Sequence, residues 1–180
     1  ICTYGLFKDR KTAEEFWVFN THFDHMGARA REQSSGLILK MIKKINRRSL
    51  PLILMGDFNS IPDSPPVNKI KTDLSDALQI SLEELQGPRG TFNGFDADLP
   101  IEKRIDYIFT GNFKVLSYIH INDRLNNDNI EKYIALQFII FIIKEEVEVV
   151  RIYSYDNIKT ALAADSFSAS DSTAVGNLPG

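Results

Sequence analysis

A chain of 180 residues, 43% hydrophobic and 25% charged, is long enough for one domain with a core of its own and is ordinary in composition for a globular protein. Its net charge of −3 excludes a global positive field that gathers nucleic acid, so a polyanionic substrate has to be met locally, by a metal or a few arginines. A single cysteine, Cys2, excludes an intrachain disulfide and leaves the redox compartment open.

The chain starts at Ile1, with no charged leader ahead of an apolar segment and no visible targeting signal, which predicts a fragment or a processed chain. Residues Phe16 to Phe23 (FWVFNTHF) are rich in aromatic and β-branched side chains and predict a strand. Alternation places Val18, Asn20 and His22 on one of its faces. Gly27 marks a turn, and Ala28 to Arg48 predicts a helix with Ile38, Met41, Ile42 and Ile45 as its apolar stripe. Lys40, Lys43, Lys44 and Arg47 lie elsewhere on that helix and read as a solvated face.

Pro51 to Met55 is a nearly continuous apolar run, as expected for a strand buried on both sides. Prolines 62, 65 and 66 make the following loop, and one or two short helices are expected between Val67 and Leu78. Thr91-Phe92-Asn93-Gly94-Phe95 contains the Asn-Gly pair favoured in tight hairpin turns. Arg104 to Phe109 predicts a third strand and Phe113 to Ile121 a fourth.

Beyond Asn122 a polar loop precedes the most apolar stretch, Ile134 to Ile143. That stretch is far short of the roughly 20 residues a membrane-crossing helix needs, so a buried strand or core helix is expected. Lys144 to Val150 alternates as an exposed strand does. From Ala161 to Gly180 small and polar residues dominate, and a loose tail is expected.

The polar residues at the strand ends carry the chemistry. Gly56-Asp57-Phe58-Asn59-Ser60 follows directly on the apolar run. If extended backbone continues there, Asp57 and Asn59 project together, a carboxylate able to take a proton from water beside an amide able to hold an oxyanion or a metal. The bland reading is a turn that closes a strand. His22 can contact phosphate or protonate a leaving alkoxide; taken alone, the preferred reading is a hydrogen-bonded strand histidine. His25 and Asp24 read as structural at the helix start, and His120 as packing. Asp106 sits in an otherwise apolar strand, where a carboxylate requires a partner: a histidine that it orients, Arg104, or a backbone amide.

Taken in order and spacing, Asn20-Thr21-His22-Phe23-Asp24-His25, Gly56-Asp57-Phe58-Asn59-Ser60 and Arg104-Ile105-Asp106-Tyr107-Ile108-Phe109 resemble the endonuclease/exonuclease/phosphatase superfamily, with the deoxyribonuclease I-like fold. Thr91 to Phe95 is similar to bacterial members. The resemblance covers roughly Phe16 to Arg124. It implies an α/β (α+β) fold, part of a four-layer α/β/β/α sandwich, and a metal-dependent phosphodiesterase, nuclease or phosphatase. His22, Asp57, Asn59 and Asp106 would be catalytic, with Asp106 orienting the family's terminal histidine. Asn20, His22, Asn59 and Asn93 would contact substrate, and Asp57 and Asn59 would hold Mg2+ or Mn2+. The substrate is a phosphoester of open class; nucleic acid is possible in the family but not indicated by the charge.

The chain also departs from that pattern. The family's closing Ser-Asp-His motif is expected soon after Asp123-Arg124, yet no histidine follows His120, and Ser170-Asp171-Ser172 is no substitute. The family's amino-terminal half, with the asparagine and glutamate of the principal metal site, belongs before Ile1. The expected organisation is therefore a carboxyl-terminal portion of the family's domain over residues 1–124, a divergent segment over 125–160, and a tail over 161–180. An inactive or impaired enzyme with weakened metal binding is expected, the alternative being a non-catalytic remnant or binding domain that keeps the scaffold.

Overall fold

The computed structural model describes residues 1–96, 99–120, 138–142 and 176–177. The expectations for residues 144–150 and for most of 161–180 lie outside the described residues. The elements are β1 (Cys2–Lys8), β2 (Glu15–His22), α1 (Ala28–Ile45), β3 (Leu52–Asp57), α2 (Pro65–Lys71), β4 (Ser75–Asp76), α3 (Ala77–Ile80), β5 (Asp106–Gly111), β6 (Val115–His120), β7 (Phe138–Ile142) and β8 (Gly176–Asn177). Six form one sheet in the order β4-β5-β3-β2-β1-β8, and β6 pairs with β7 in a second.

Within the large sheet β2 and β3 run parallel, and every other pairing is antiparallel. A parallel neighbour requires a crossover, which α1 supplies. Its buried residues, Ser35, Ile38, Leu39 and Ile42, recur at helical spacing and lie against the sheet; Met41 and Ile45 are only half-buried, so the stripe is centred one residue off the expected one. The helix stops at Ile45, not Arg48. There the Asn46 side chain bridges forward, its Nδ2 donating to the Leu50 carbonyl (2.7 Å) and its Oδ1 accepting from the Leu50 amide (2.8 Å). Lys40, Lys43, Lys44 and Arg47 are exposed, and Lys43 reaches Asp73 at 3.0 Å.

Two apolar cores lie on opposite faces of the large sheet. Between sheet and helices, Phe19, Leu54, Tyr107 and Phe109 meet Ile38, Leu39, Ile42, Val67 and Ile70. On the other face Ile53 and Ile108, with Val18 and Met55, pack on Val115 and Tyr118 of the second sheet. β3 thus feeds both cores, as its unbroken apolar run predicts. Each large side chain removed from water here contributes about 1.5–3 kcal/mol.

The stretch at residues 134–143 contains a strand, β7. No helix among the described residues is long and apolar enough to cross a membrane. The sequence left β1 unpredicted: Gly5 interrupts CTYGLFK, and pairing with β2 over the whole of β1 supplies what local propensity does not. The Asn93-Gly94 pair does sit in a turn, with the Asn93 amide donating to the Asp96 carbonyl. It closes a loop longer than a two-residue hairpin, because Phe92 bridges to Lys103.

Candidate active site

The polar side chains converge because strand register puts them there. His22 pairs with Asp57 across the parallel β2–β3 ladder, and Asp57 pairs with Asp106 across the antiparallel β3–β5 ladder. All three lie in one row at one end of the sheet. His22 Nε2 stands 3.5 Å from Asp57 Oδ2. Asn20, two residues before His22, is exposed on the same face, as alternation requires. Backbone bonds close the row: the Phe23 amide donates to the Asp57 carbonyl (2.8 Å) and the Phe58 amide to that of Ile105 (2.9 Å).

Asn59 joins the row by a different route from the expected one. Extended backbone does not continue past Asp57: Gly56 has φ +136° and Asn59 lies in the left-handed region at +44°. Alternation therefore does not pair the two side chains. The Asn59 backbone N–H donates to Asp57 Oδ1 (2.7 Å), and its side-chain Nδ2 donates to the Phe23 carbonyl (3.0 Å). This turn is rigid because Phe58, fully buried between its two polar neighbours, packs on Phe23, Tyr107 and Phe109.

Asp106 has neither of the charged partners considered for it. Arg104 forms a buried bidentate pair with Asp76, its Nη1 donating to Oδ1 at 3.2 Å and its Nη2 to Oδ2. Its guanidinium also sits 4.4 Å from the centre of the Tyr107 ring. The Asp106 carboxyl instead meets the hydroxyl of Thr91. Burial first, and the neighbouring charge of Asp57 second, push Asp106 up to about 7 against the opposing Thr91 hydrogen bond. Burial likewise raises Asp57, although the Asn59 amide and His22 pull it down.

Thr91 is a site residue that the sequence reading missed. Its Oγ1 accepts from the amides of Ile105 (3.0 Å) and Asp106 (3.2 Å) and so fixes the start of β5. Asp76 was also missed, although Ser75-Asp76 before Ala77 has the form of a helix start, and Asp76 Oδ1 does accept the Leu78 amide at 3.1 Å. Other candidates lie apart. His25 is exposed; Asp24 accepts the amides of Met26 and Gly27 ahead of α1, the structural role expected. His120 is buried, with Nδ1 2.7 Å from the Pro88 carbonyl oxygen. Asn93 holds its own turn.

The endonuclease/exonuclease/phosphatase family model matches residues 5–134. The chain belongs to that family. Its mixed sheet with flanking helices matches the fold of solved members. An endonuclease/exonuclease/phosphatase family protein from Bacteroides thetaiotaomicron is 36% identical, with a TM-score of 0.65, over 70% of this chain and 46% of that one. A mannosyl-6-phosphatase from the same organism is 34% identical, with a TM-score of 0.67, over 73% of this chain and 51% of that one. A functionally unknown protein from Enterococcus faecalis follows at 27% identity and a TM-score of 0.66, over 76% of this chain and 52% of that one. The chain spans about half the length of these relatives. No curated protein matches it.

Members of the family generally use a divalent metal. A carboxylate such as that of Asp57 and an amide oxygen such as that of Asn59 are of the donor type that a hard divalent cation takes. Among the described residues no three His, Cys, Asp or Glu side chains gather closely enough to hold a cation unaided.

The raised Asp106 gives a stability prediction. Between its ordinary 3.8 and about 7 the folded chain keeps a proton that the unfolded chain has released, so stability falls as pH rises through that window, by up to about 4 kcal/mol. In chelator, the urea midpoint is expected to be higher at pH 4.5 than at pH 8. Asp106→Asn should remove most of that difference; an unchanged slope would place the titrating group elsewhere.

Proposed function

We propose that this chain is part of a phosphoester hydrolase in which water attacks phosphorus at the His22–Asp57–Asp106 row. The 3.5 Å approach of His22 Nε2 to Asp57 Oδ2, set by strand register, is the observation that carries this reading. Asp57 accepts the proton of the attacking water at its carboxylate, and its burial raises its basicity toward what that task needs near neutrality. His22, exposed at the strand end, donates from its imidazole to a phosphate oxygen. Asn59 fixes Asp57 through its backbone N–H, and Asn20 offers its amide on the same face. Asp57 and Asn59 would hold a divalent cation, which when bound neutralises charge developing on the phosphoryl and leaving oxygens.

Asp106 fits the role of orienting an imidazole, but no histidine follows His120 in the sequence. A carboxyl left without its imidazolium keeps its proton near neutrality, which accords with the raised Asp106. We therefore expect the 180-residue chain alone to turn over several powers of ten more slowly than an intact family member, since members of a catalytic set act as a unit. A sugar phosphate is the substrate class suggested by the mannosyl-6-phosphatase relative, and the acidic balance of charges does not favour a nucleic acid.

The same missing histidine supports a second reading, a non-catalytic remnant that retains the scaffold. Hydrolysis of nitrophenyl phosphate and bis-nitrophenyl phosphate with magnesium or manganese separates the two. Residual turnover that falls at least about a hundredfold in Asp57→Ala, and by a similar order in His22→Gln, supports the hydrolase. A natural chain no faster than buffer with either ion supports the remnant.

A further inference from the structure

At the end of the sheet that carries the row, a cleft of about 410 Å³ opens between Ile61 and Pro62 on one side and Glu102, Lys103 and Arg104 on the other. β3 and β5 are antiparallel, so the chain leaving Asp57 and the chain entering Asp106 emerge at the same end. Ile61 follows Asn59 by two residues, and Lys103 precedes Asp106 by three. At no more than about 3.6 Å of chain per residue, both walls start within about 11 Å of the row. The Tyr107 hydroxyl ties the walls together, 2.8 Å from the Ser60 carbonyl oxygen and 3.1 Å from that of Arg104.

Backbone packing sets two cations around this cleft. Gly90 lies so close to the neighbouring segment that a methyl group there would overlap the Glu102 carbonyl carbon and the Lys103 amide. The Gly90 amide donates to the Ile101 carbonyl (3.0 Å), and those of Thr91 and Phe92 donate to the Lys103 carbonyl (2.8 and 2.9 Å). Arg89 and Lys103 therefore stand on adjoining stretches of chain, and both line the cleft. Both are exposed, and neither has a carboxylate partner among the described residues. Arg104 beside them adds no net charge, because buried Asp76 pairs it.

The charges narrow the chemistry. Glu102 offsets one of the two cations, which leaves an excess of one positive charge at this cleft on a chain whose total is −3. The lysines of α1 lie on a convex, solvated face, whereas here the cations ring a concavity at the reacting end. A guanidinium fork matches two oxygens of a phosphate, and an ammonium beside it adds a point charge. The scissile phosphoryl group belongs at the His22–Asp57 row, so an anion in the cleft is a second one. We infer that the cleft takes a second phosphate group carried by the substrate. The inference rests on the hydrolase reading above and adds Arg89 and Lys103 as specificity residues.

Calorimetric titration of the whole 180-residue chain in magnesium buffer tests it. Two pairs of ligands are compared, glucose 6-phosphate with glucose 1,6-bisphosphate and adenosine 5′-monophosphate with adenosine 3′,5′-bisphosphate. In at least one pair the bisphosphate is expected to bind about tenfold or more tightly, the worth of a charge-assisted contact at the two cations. The pair with the larger ratio shows whether a sugar or a nucleoside carries both groups. Arg89→Gln and Lys103→Gln, exposed changes that spare folding, should each cut that ratio at least about threefold. Lys40→Gln, which removes the same charge from the solvated face of α1, should leave it unchanged. Ratios near unity in both pairs overturn the cleft and leave the hydrolase standing. A ratio that survives both cleft variants, or falls equally in Lys40→Gln, also overturns it. Failure of all four ligands to bind overturns the hydrolase reading and the cleft with it.

Discussion

Gly56→Ala is expected to unfold the end of the sheet that carries the site. A methyl group placed on Gly56 would lie 1.8 Å from the carbonyl oxygen of Thr21 and 2.8 Å from its carbon, on the parallel neighbour strand. The atoms in the way belong to backbone, so no rotamer change relieves the overlap. The φ of +136° adds strain that any L side chain meets there. Relief requires β2 and β3 to part between Thr21 and Gly56, one residue before the His22–Asp57 pair. A loss of at least about 4 kcal/mol is expected, well beyond an ordinary substitution. Urea unfolding followed by the fluorescence of Trp17, the single tryptophan, measures it. Gly36→Ala is the control: it lies within α1 with nothing near the added methyl, and should stabilise by up to about 1 kcal/mol. Equal effects at the two positions would contradict the close approach of the strands.

Arg104→Leu is expected to cost about 3–5 kcal/mol, because it strands the Asp76 carboxylate in the interior. Asp76 is 2% exposed and Arg104 6%, so water cannot replace the lost partner. The guanidinium also lies against the ring of Tyr107, whose hydroxyl donates to the Ser60 carbonyl at 2.8 Å, one residue from Asn59. The substitution should therefore loosen the turn that holds Asn59 as well as lower stability. In the double variant Arg104→Leu with Asp76→Leu no unpaired charge remains, and most of the loss should be recovered, less about 1 kcal/mol for the helix start that Asp76 caps. Denaturant midpoints of the two single variants and the double variant complete the cycle. A double variant as unstable as Arg104→Leu would show that the cost arises from packing and not from the stranded charge.

The row of polar residues was legible because it depends on two periodicities that a sequence displays. Alternation in FWVFNTHF fixes the face of His22, and the apolar run before Gly56 announces a central strand ending at Asp57. Their adjacency follows from ladder register once the crossover helix makes β2 and β3 parallel. The position of Asn59 was not legible, since it depends on a left-handed backbone and on a hydrogen bond to its own main chain; the strand rule alone assigned it the wrong geometry. The partner of Arg104 was hidden for another reason. Asp76 lies 28 residues earlier, and only the pairing of β4 with β5 brings that segment beside the strand. Thr91 acts through its contact with the start of β5, a relation between a loop and a strand that local composition does not encode. β1 went unnoticed because its strand character comes from its neighbour and not from its own residues.

The amides of Phe23 and Phe58 close the two sides of the row. Deuterium uptake at these two hydrogens therefore serves as a gauge of how often the geometry of the row dissolves. Brief fraying of the β3 terminus would free both at once and separate the His22 imidazole from the Asp57 carboxylate in the same event, so among variants that keep these side chains, any turnover of the proposed hydrolase should decline together with proton protection.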